Sequence, residues 1–149
     1  MKTISLTISK KAVYEEVAQT TSYTGAKMDD EHAYERIFTT DEDAKQLERF
    51  WDECKNMVCN SLKKVLESEA EQQGTYTLNL ELSSAFDESL VESMQRSLFS
   101  FFVMNITAKW FTFANKSEAT GYATEAATYI EDILRKAYFK KRPVRPHFD

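Results

Sequence analysis

Seven apolar residues, Ala44, Leu47, Trp51, Cys54, Val58, Leu62 and Val65, recur at spacings of three and four, and no other feature constrains this chain's fold as much. A stripe with that period lies along one face of an α-helix, and that face must be buried. The start of the helix is marked as well. Thr39 and Glu42 stand at capping-box spacing, Thr40 offers an alternative cap, and Asp41 and Asp43 suit the positive end of a helix dipole. The spacing predicts a helix from 40 to about 71.

Two segments carry the other periodicity. Ile4, Leu6 and Ile8 alternate with Thr3, Ser5, Thr7 and Ser9. Tyr76, Leu78, Leu80 and Leu82 alternate with Thr75, Thr77, Asn79 and Glu81 directly after Gly74. A period of two puts the apolar side chains on one strand face and the polar ones on the other. The two strands are expected to pair. A lone two-stranded ribbon is marginal in water, so it must lie on helices or extend through strands of another subunit, at 75–82 or at 3–9.

The remaining periodicity is helical. Residues 10–27 place Val13, Val17 and Ala18 on one side. Ser84 and Asp87 open a further helix that carries Leu90, Met94 and Leu98. Its middle, Leu98, Phe99, Phe101, Phe102, Val103 and Met104, is apolar nearly all round, which predicts burial on several sides and the centre of the core. After a break at Asn115 and Ser117, Ala119, Ala123, Ala126, Ile130, Ile133 and Ala137 form a last stripe whose small residues permit close packing. The expectation is a mainly α fold of the α+β class. It has about four helices and two short strands in one body over residues 1–139, with an extended arm over 140–149.

Composition excludes several classes. With 42% hydrophobic and 29% charged residues, 3 Gly and 2 Pro among 149, the chain can build a core and has few breakers. No uncharged apolar run approaches the roughly 18 residues a membrane span requires. The start MKTISLTISKK alternates where a signal peptide would be solidly apolar.

Catalytic and metal-binding patterns find little support. Cys54 and Cys59 are five apart on a helix, about 140° around its axis, too divergent for a redox pair and best read as small apolar fillers. His32 in DDEH has no zinc or calcium spacing around it, and a solvated acidic turn accounts for it. Two histidines, one of them His147 in the tail, do not make a triad, and the carboxylates fall on charged helix faces. No phosphate-cradling glycine motif occurs. The expectation is a protein with no enzymatic activity, no cofactor and no metal.

The C-terminal segment stands apart. Of 19 Lys+Arg and 24 Asp+Glu, residues 135–149 hold 6 and 1, leaving 13 and 23 on residues 1–134; the end carries +5 and the rest −10. Such asymmetry marks an interaction tail. Lys140, Lys141, Arg142 and Arg145 are interleaved with Tyr138, Phe139 and Phe148, while Pro143 and Pro146 favour extended backbone and lower the entropy lost on docking. Such an arm suits an acidic, partly apolar groove on a protein, or nucleic-acid phosphates and bases. The candidate partner-binding residues are Lys140, Lys141, Arg142, Pro143, Arg145, Pro146 and Phe148.

The segments YTGAKM at 23–28, IFTTDEDAKQLERFWDE at 37–53 and ILRKAYFKKRPVRP at 133–146 resemble small uncharacterised proteins of phages and prophages of gut Bacteroidales. A compact helical body with an extended basic arm also resembles the head-to-tail connector, adaptor or head-completion proteins of tailed phages. That resemblance implies a virion structural protein, assembled in the bacterial host cytoplasm. It would form a homo-oligomeric ring at the portal vertex and contact portal, connector or tail proteins through the arm. The two strands depart from the simplest all-helical adaptors, so adaptor, stopper and tail-completion roles all stay open. The alternative is a nucleic-acid-associated or regulatory protein that binds through the same arm; neither reading involves a membrane.

Overall fold

The computed structural model describes residues 1–27, 41–114 and 116–142. Strand β1 (Lys2–Ser9) is followed by α1 (Lys10–Lys27), α2 (Asp41–Ser61), β2 (Leu66–Gln72), β3 (Thr75–Leu82), a 3-10 turn (Glu88–Leu90), α3 (Val91–Ala114) and α4 (Lys116–Ala137). The result is a mostly helical α+β architecture: four helices and a three-stranded antiparallel sheet in the order β1-β3-β2.

The two alternating segments pair within one chain, with Ile4 opposite Leu80, Leu6 opposite Leu78 and Ile8 opposite Tyr76. All six side chains are buried under the helices. The opposite face carries hydroxyls and amides. Ser5 Oγ donates to Asn79 Oδ1 at 2.6 Å, Asn79 Nδ2 donates to Ser68 Oγ at 2.9 Å, and the Thr7 and Thr77 hydroxyls lie 3.4 Å apart. A sheet with one apolar and one polar face reads as strict alternation, which is why both strands are visible in the sequence.

Two expectations require correction. The helix beginning near residue 40 ends at Ser61, not about 71, and Leu62–Val65 turn the chain into a third strand. Strand β2 pairs with β3 through Leu66–Leu80 and Glu71–Tyr76, and the Glu81 amide donates to the Val65 carbonyl at 2.8 Å. Gln73 and Gly74 link the strands with positive φ angles of 52° and 78°, as a type I′ turn requires. Strand 75–82 is therefore central, with both edges filled, and cannot extend a sheet between subunits. Among the described residues, β1 and β2 are the edge strands.

The α2 stripe is buried at Leu47, Trp51, Cys54 and Val58 and continues into the turn at Leu62, with Phe50 added; Ala44, at its start, is exposed. Trp51 sits 4.8 Å from the Phe102 ring and 6.1 Å from Tyr76, centroid to centroid, so α2, α3 and β3 meet on one aromatic cluster. Each buried side chain of this size contributes ~1.5–3 kcal/mol of transfer free energy.

Helix α3 is the central element, packed by α1, α2, α4 and β1. That accounts for its apolar middle: Leu98, Phe101, Phe102, Val103 and Ile106 are buried on different sides. Helix α4 lies along α3 and buries Ala119, Ala126, Ile133 and Ala137, while the rings of Phe111 and Tyr122 stack at 5.7 Å near the hairpin's closed end. At its open end, Asp132 Oδ2 accepts from Ser97 Oγ and from Lys136 Nζ, both at 2.7 Å, and Lys136 also donates to Ser93. These contacts tie the last turns of α4 to the first turns of α3.

Candidate functional site

The helical winding of α4 tightens beyond Ala137, with the Tyr138 amide donating to Leu134 O at 3.2 Å and the Phe139 amide to Lys136 O at 3.1 Å. The chain then meets the β3–α3 connection. Lys140 forms an isolated antiparallel bridge with Phe86, and the Lys141 amide donates to Ala85 O at 2.8 Å. Phe86 is fully buried and anchors that connection. Its carbonyl accepts Lys2 Nζ at 3.1 Å, and Lys2 also faces Glu88 at 3.3 Å.

The backbone at the root of the arm is thus held, while its side chains point outward. Lys140, Lys141 and Arg142 are exposed, and Tyr138 and Phe139 are each 51% exposed. Met1, beside Lys2, is exposed too. One end of the molecule therefore combines three cations with apolar surface. Lys141 Nζ lies 3.7 Å from Asp87, whose carboxyl is held below its usual range by the Ser89 hydroxyl and amide and then by Lys141. Of the predicted contact residues, the structure brings Lys140, Lys141 and Arg142 together; Pro143, Arg145, Pro146 and Phe148 lie outside the described residues. The anchors Lys2, Ala85 and Phe86 were not foreseen, because a single bridge leaves no periodicity in sequence.

A second polar cluster, between α2 and the inward face of β2, was also missed. Glu71 accepts Trp51 Nε1–H at 3.0 Å and Lys55 Nζ at 2.6 Å, with Lys10 Nζ at 3.5 Å. Lys10 also bonds Glu48, which accepts the Tyr14 hydroxyl at 3.0 Å. Two residues earlier, Glu69 accepts from Tyr76 and from the Cys59 thiol. Burial works to raise the Glu71 carboxyl, but Lys55 and Lys10 outweigh it and leave it below its usual range. Donation from Cys59 and Tyr76 lowers Glu69 in the same direction.

The electrostatics of this cluster favour protonated thiols and phenols. Burial and the Glu69 carboxylate push the Cys59 thiol up to about 11, and burial pushes Cys54 up to about 12. A nucleophilic cysteine requires the opposite shift. Tyr14 and Tyr76 are raised by burial as well and stay protonated. Among the described residues no group of three or more His, Cys, Asp and Glu could hold a metal ion, and no helix is long and apolar enough to cross a membrane. His32 and the acidic residues Asp29, Asp30 and Glu31, expected to form a turn, lie outside the described residues.

No family model matches this chain, and no match was found among the curated proteins or the solved structures.

Proposed function

We propose that this protein is a structural subunit of a tailed-phage particle, a head-to-tail connector, adaptor or tail-completion component. In this reading it assembles as a ring at the portal vertex and docks on its neighbours through the C-terminal arm. The observation that carries the reading is the anchored root: Lys140 and Lys141 are fixed by backbone to Phe86 and Ala85, while Lys140, Lys141, Arg142, Tyr138 and Phe139 face outward. A held root aims the residues beyond it and reduces the entropy lost when they dock. The charge division supports it too, since an arm of one sign and a body of the other attract between copies. Ring closure lets many equivalent weak contacts act together.

Deleting residues 143–149 leaves the root pairing intact and should abolish co-assembly without changing the helical circular dichroism. Normal co-assembly of the shortened chain would contradict the role of the arm. The same cations and aromatic rings also suit nucleic acid, and salt separates the two: binding to DNA that weakens steeply with rising salt, and is lost with the arm, would favour the nucleic-acid reading.

A further inference from the structure

The edge of β1 away from β3 carries no further strand among the described residues. Gln95 Oε1, from α3, accepts the Thr7 amide at 3.0 Å, so Thr7 directs its backbone away from β3. In an antiparallel pair alternate residues face alternate sides, so Thr3, Ser5 and Ser9 also present amide and carbonyl groups to the open edge. A side-chain amide thus occupies one position where a strand would pair. Alongside runs an open groove of about 430 Å³, lined by Thr7, Ile8, Ala12, Gln95, Phe99 and Ser100. Arg96 at its rim is paired with Glu92 at 2.6 Å.

We infer that this edge receives residues 144–149 of a second copy as an added strand, an inference that rests on the docking role proposed for the arm. The sequence of the arm selects one register on two independent grounds. Residues that pair with Thr3 and Ser5, and with Thr7 once the incoming strand displaces Gln95 from its amide, must have free amides and must share the hydroxyl face of the sheet. Arg145, His147 and Asp149 meet both conditions. In this antiparallel register Val144, Pro146 and Phe148 fall on the helix side, opposite Ile8, Leu6 and Ile4 in turn, with Val144 nearest Ala12 and Phe99, and the missing Pro146 donor falls on the outer edge where it costs nothing. The opposite register would break the ladder at Pro146 and set Val144 and Phe148 on the hydroxyl face. Six residues span at most ~20 Å, comparable to the strand they would line. The cations that draw the arm of one copy to the acidic body of another lie just before the added strand, at Lys140, Lys141 and Arg142, while residues 144–149 hold one Arg and one Asp.

The test is photo-crosslinking of the full chain with benzoylphenylalanine in place of Val144, the arm residue opposite Ile8, in an equal mixture of isotopically light and heavy protein. The expected products join light to heavy copies and map to residues 7–12 or 95–100. His147→Pro, which removes an inward amide without touching the body, should lower their yield by ~tenfold or more, and Ala12→Arg should do the same by filling the groove. Pro146→Ala should keep them. Crosslinks between copies elsewhere on the body would overturn the β1 edge as receptor while leaving arm docking intact. Crosslinks only within one copy, or none, would overturn the inference. Arm docking itself falls separately, if removal of residues 143–149 leaves assembly unchanged.

Discussion

The backbone amide of Lys141 donates to the carbonyl of Ala85 at 2.8 Å, which ties the start of the basic arm to the connection between β3 and α3. The adjacent bridge between Lys140 and Phe86 makes this a short stretch of pairing. The root of the arm thereby sits at a defined point beside the first residues of β1.

Charge reversal at the root should separate fold from assembly. Lys140, Lys141 and Arg142 are exposed; Lys140 and Lys141 pair with the body through backbone, and the Lys141 side chain adds one surface contact to Asp87 at 3.7 Å. The triple variant Lys140→Glu, Lys141→Glu, Arg142→Glu should change unfolding free energy by no more than ~1 kcal/mol in denaturant titrations, yet lose assembly. A large stability loss would show that these side chains hold the body together.

The α2–α3–β3 junction should be the most sensitive part of the core. Trp51 is fully buried, packs on Phe102 and donates to Glu71. Trp51→Ala should cost about 3–5 kcal/mol in chemical denaturation, combining a cavity with a lost hydrogen bond. A cost under ~1 kcal/mol would mean that the site collapses freely and that the cluster is not central.

Thr107 offers a test in the opposite direction. Its hydroxyl is buried in α3 and has no hydrogen-bond partner among the described residues. Thr107→Val keeps the shape and removes the orphaned group, so stability should be unchanged or rise by ~1 kcal/mol. A loss of similar size would show that the hydroxyl has a partner.

Acid should weaken the contacts of β2. Glu69 and Glu71 titrate below their usual 4.5 in the folded state, so the unfolded chain takes up protons first. Their contribution is fully present above about pH 4.5 and is lost as pH falls through the depressed folded values. The double variant Glu69→Gln, Glu71→Gln should flatten this acid limb in urea unfolding between pH ~6 and ~3. An unchanged slope would place the acid sensitivity elsewhere, for instance at Asp132, which is also lowered once Lys136 and Ser97 offset its burial.

The thiols should be unreactive at neutral pH. With Cys59 raised to about 11 and Cys54 to about 12, on the order of one thiol in 10⁴ or fewer is ionised at pH 7. Alkylation of the native protein followed by mass spectrometry should show slow modification that accelerates about tenfold per pH unit, and fast modification after unfolding. Rapid labelling of Cys59 at pH 7 would show that the thiol escapes Glu69.

The legible and illegible parts of the fold differ for physical reasons. β1 and β3 announce themselves because each buries one face and hydrates the other. β2 does not: LESEAEQ holds no β-branched or aromatic residue, and helical spacing from Val58 through Leu62 to Val65 runs into it. Its strand state comes from pairing with β3 and from partners for two inward carboxylates, Glu69 and Glu71, that no local pattern reveals. The exposed basic root was readable from charge. Its anchor was not, because Ala85 and Phe86 lie more than fifty residues earlier in the chain and meet it only through backbone.

The most direct measurement is the solution mass of the full chain beside the chain lacking residues 143–149, by light scattering at low micromolar and at high concentration. Electron microscopy should accompany it for any large species. The account predicts closed rings whose mass is an integral multiple of 17.3 kDa for the full chain, and a smaller species for the shortened one. Equal masses for the two chains, or rings that persist without the arm, would contradict it.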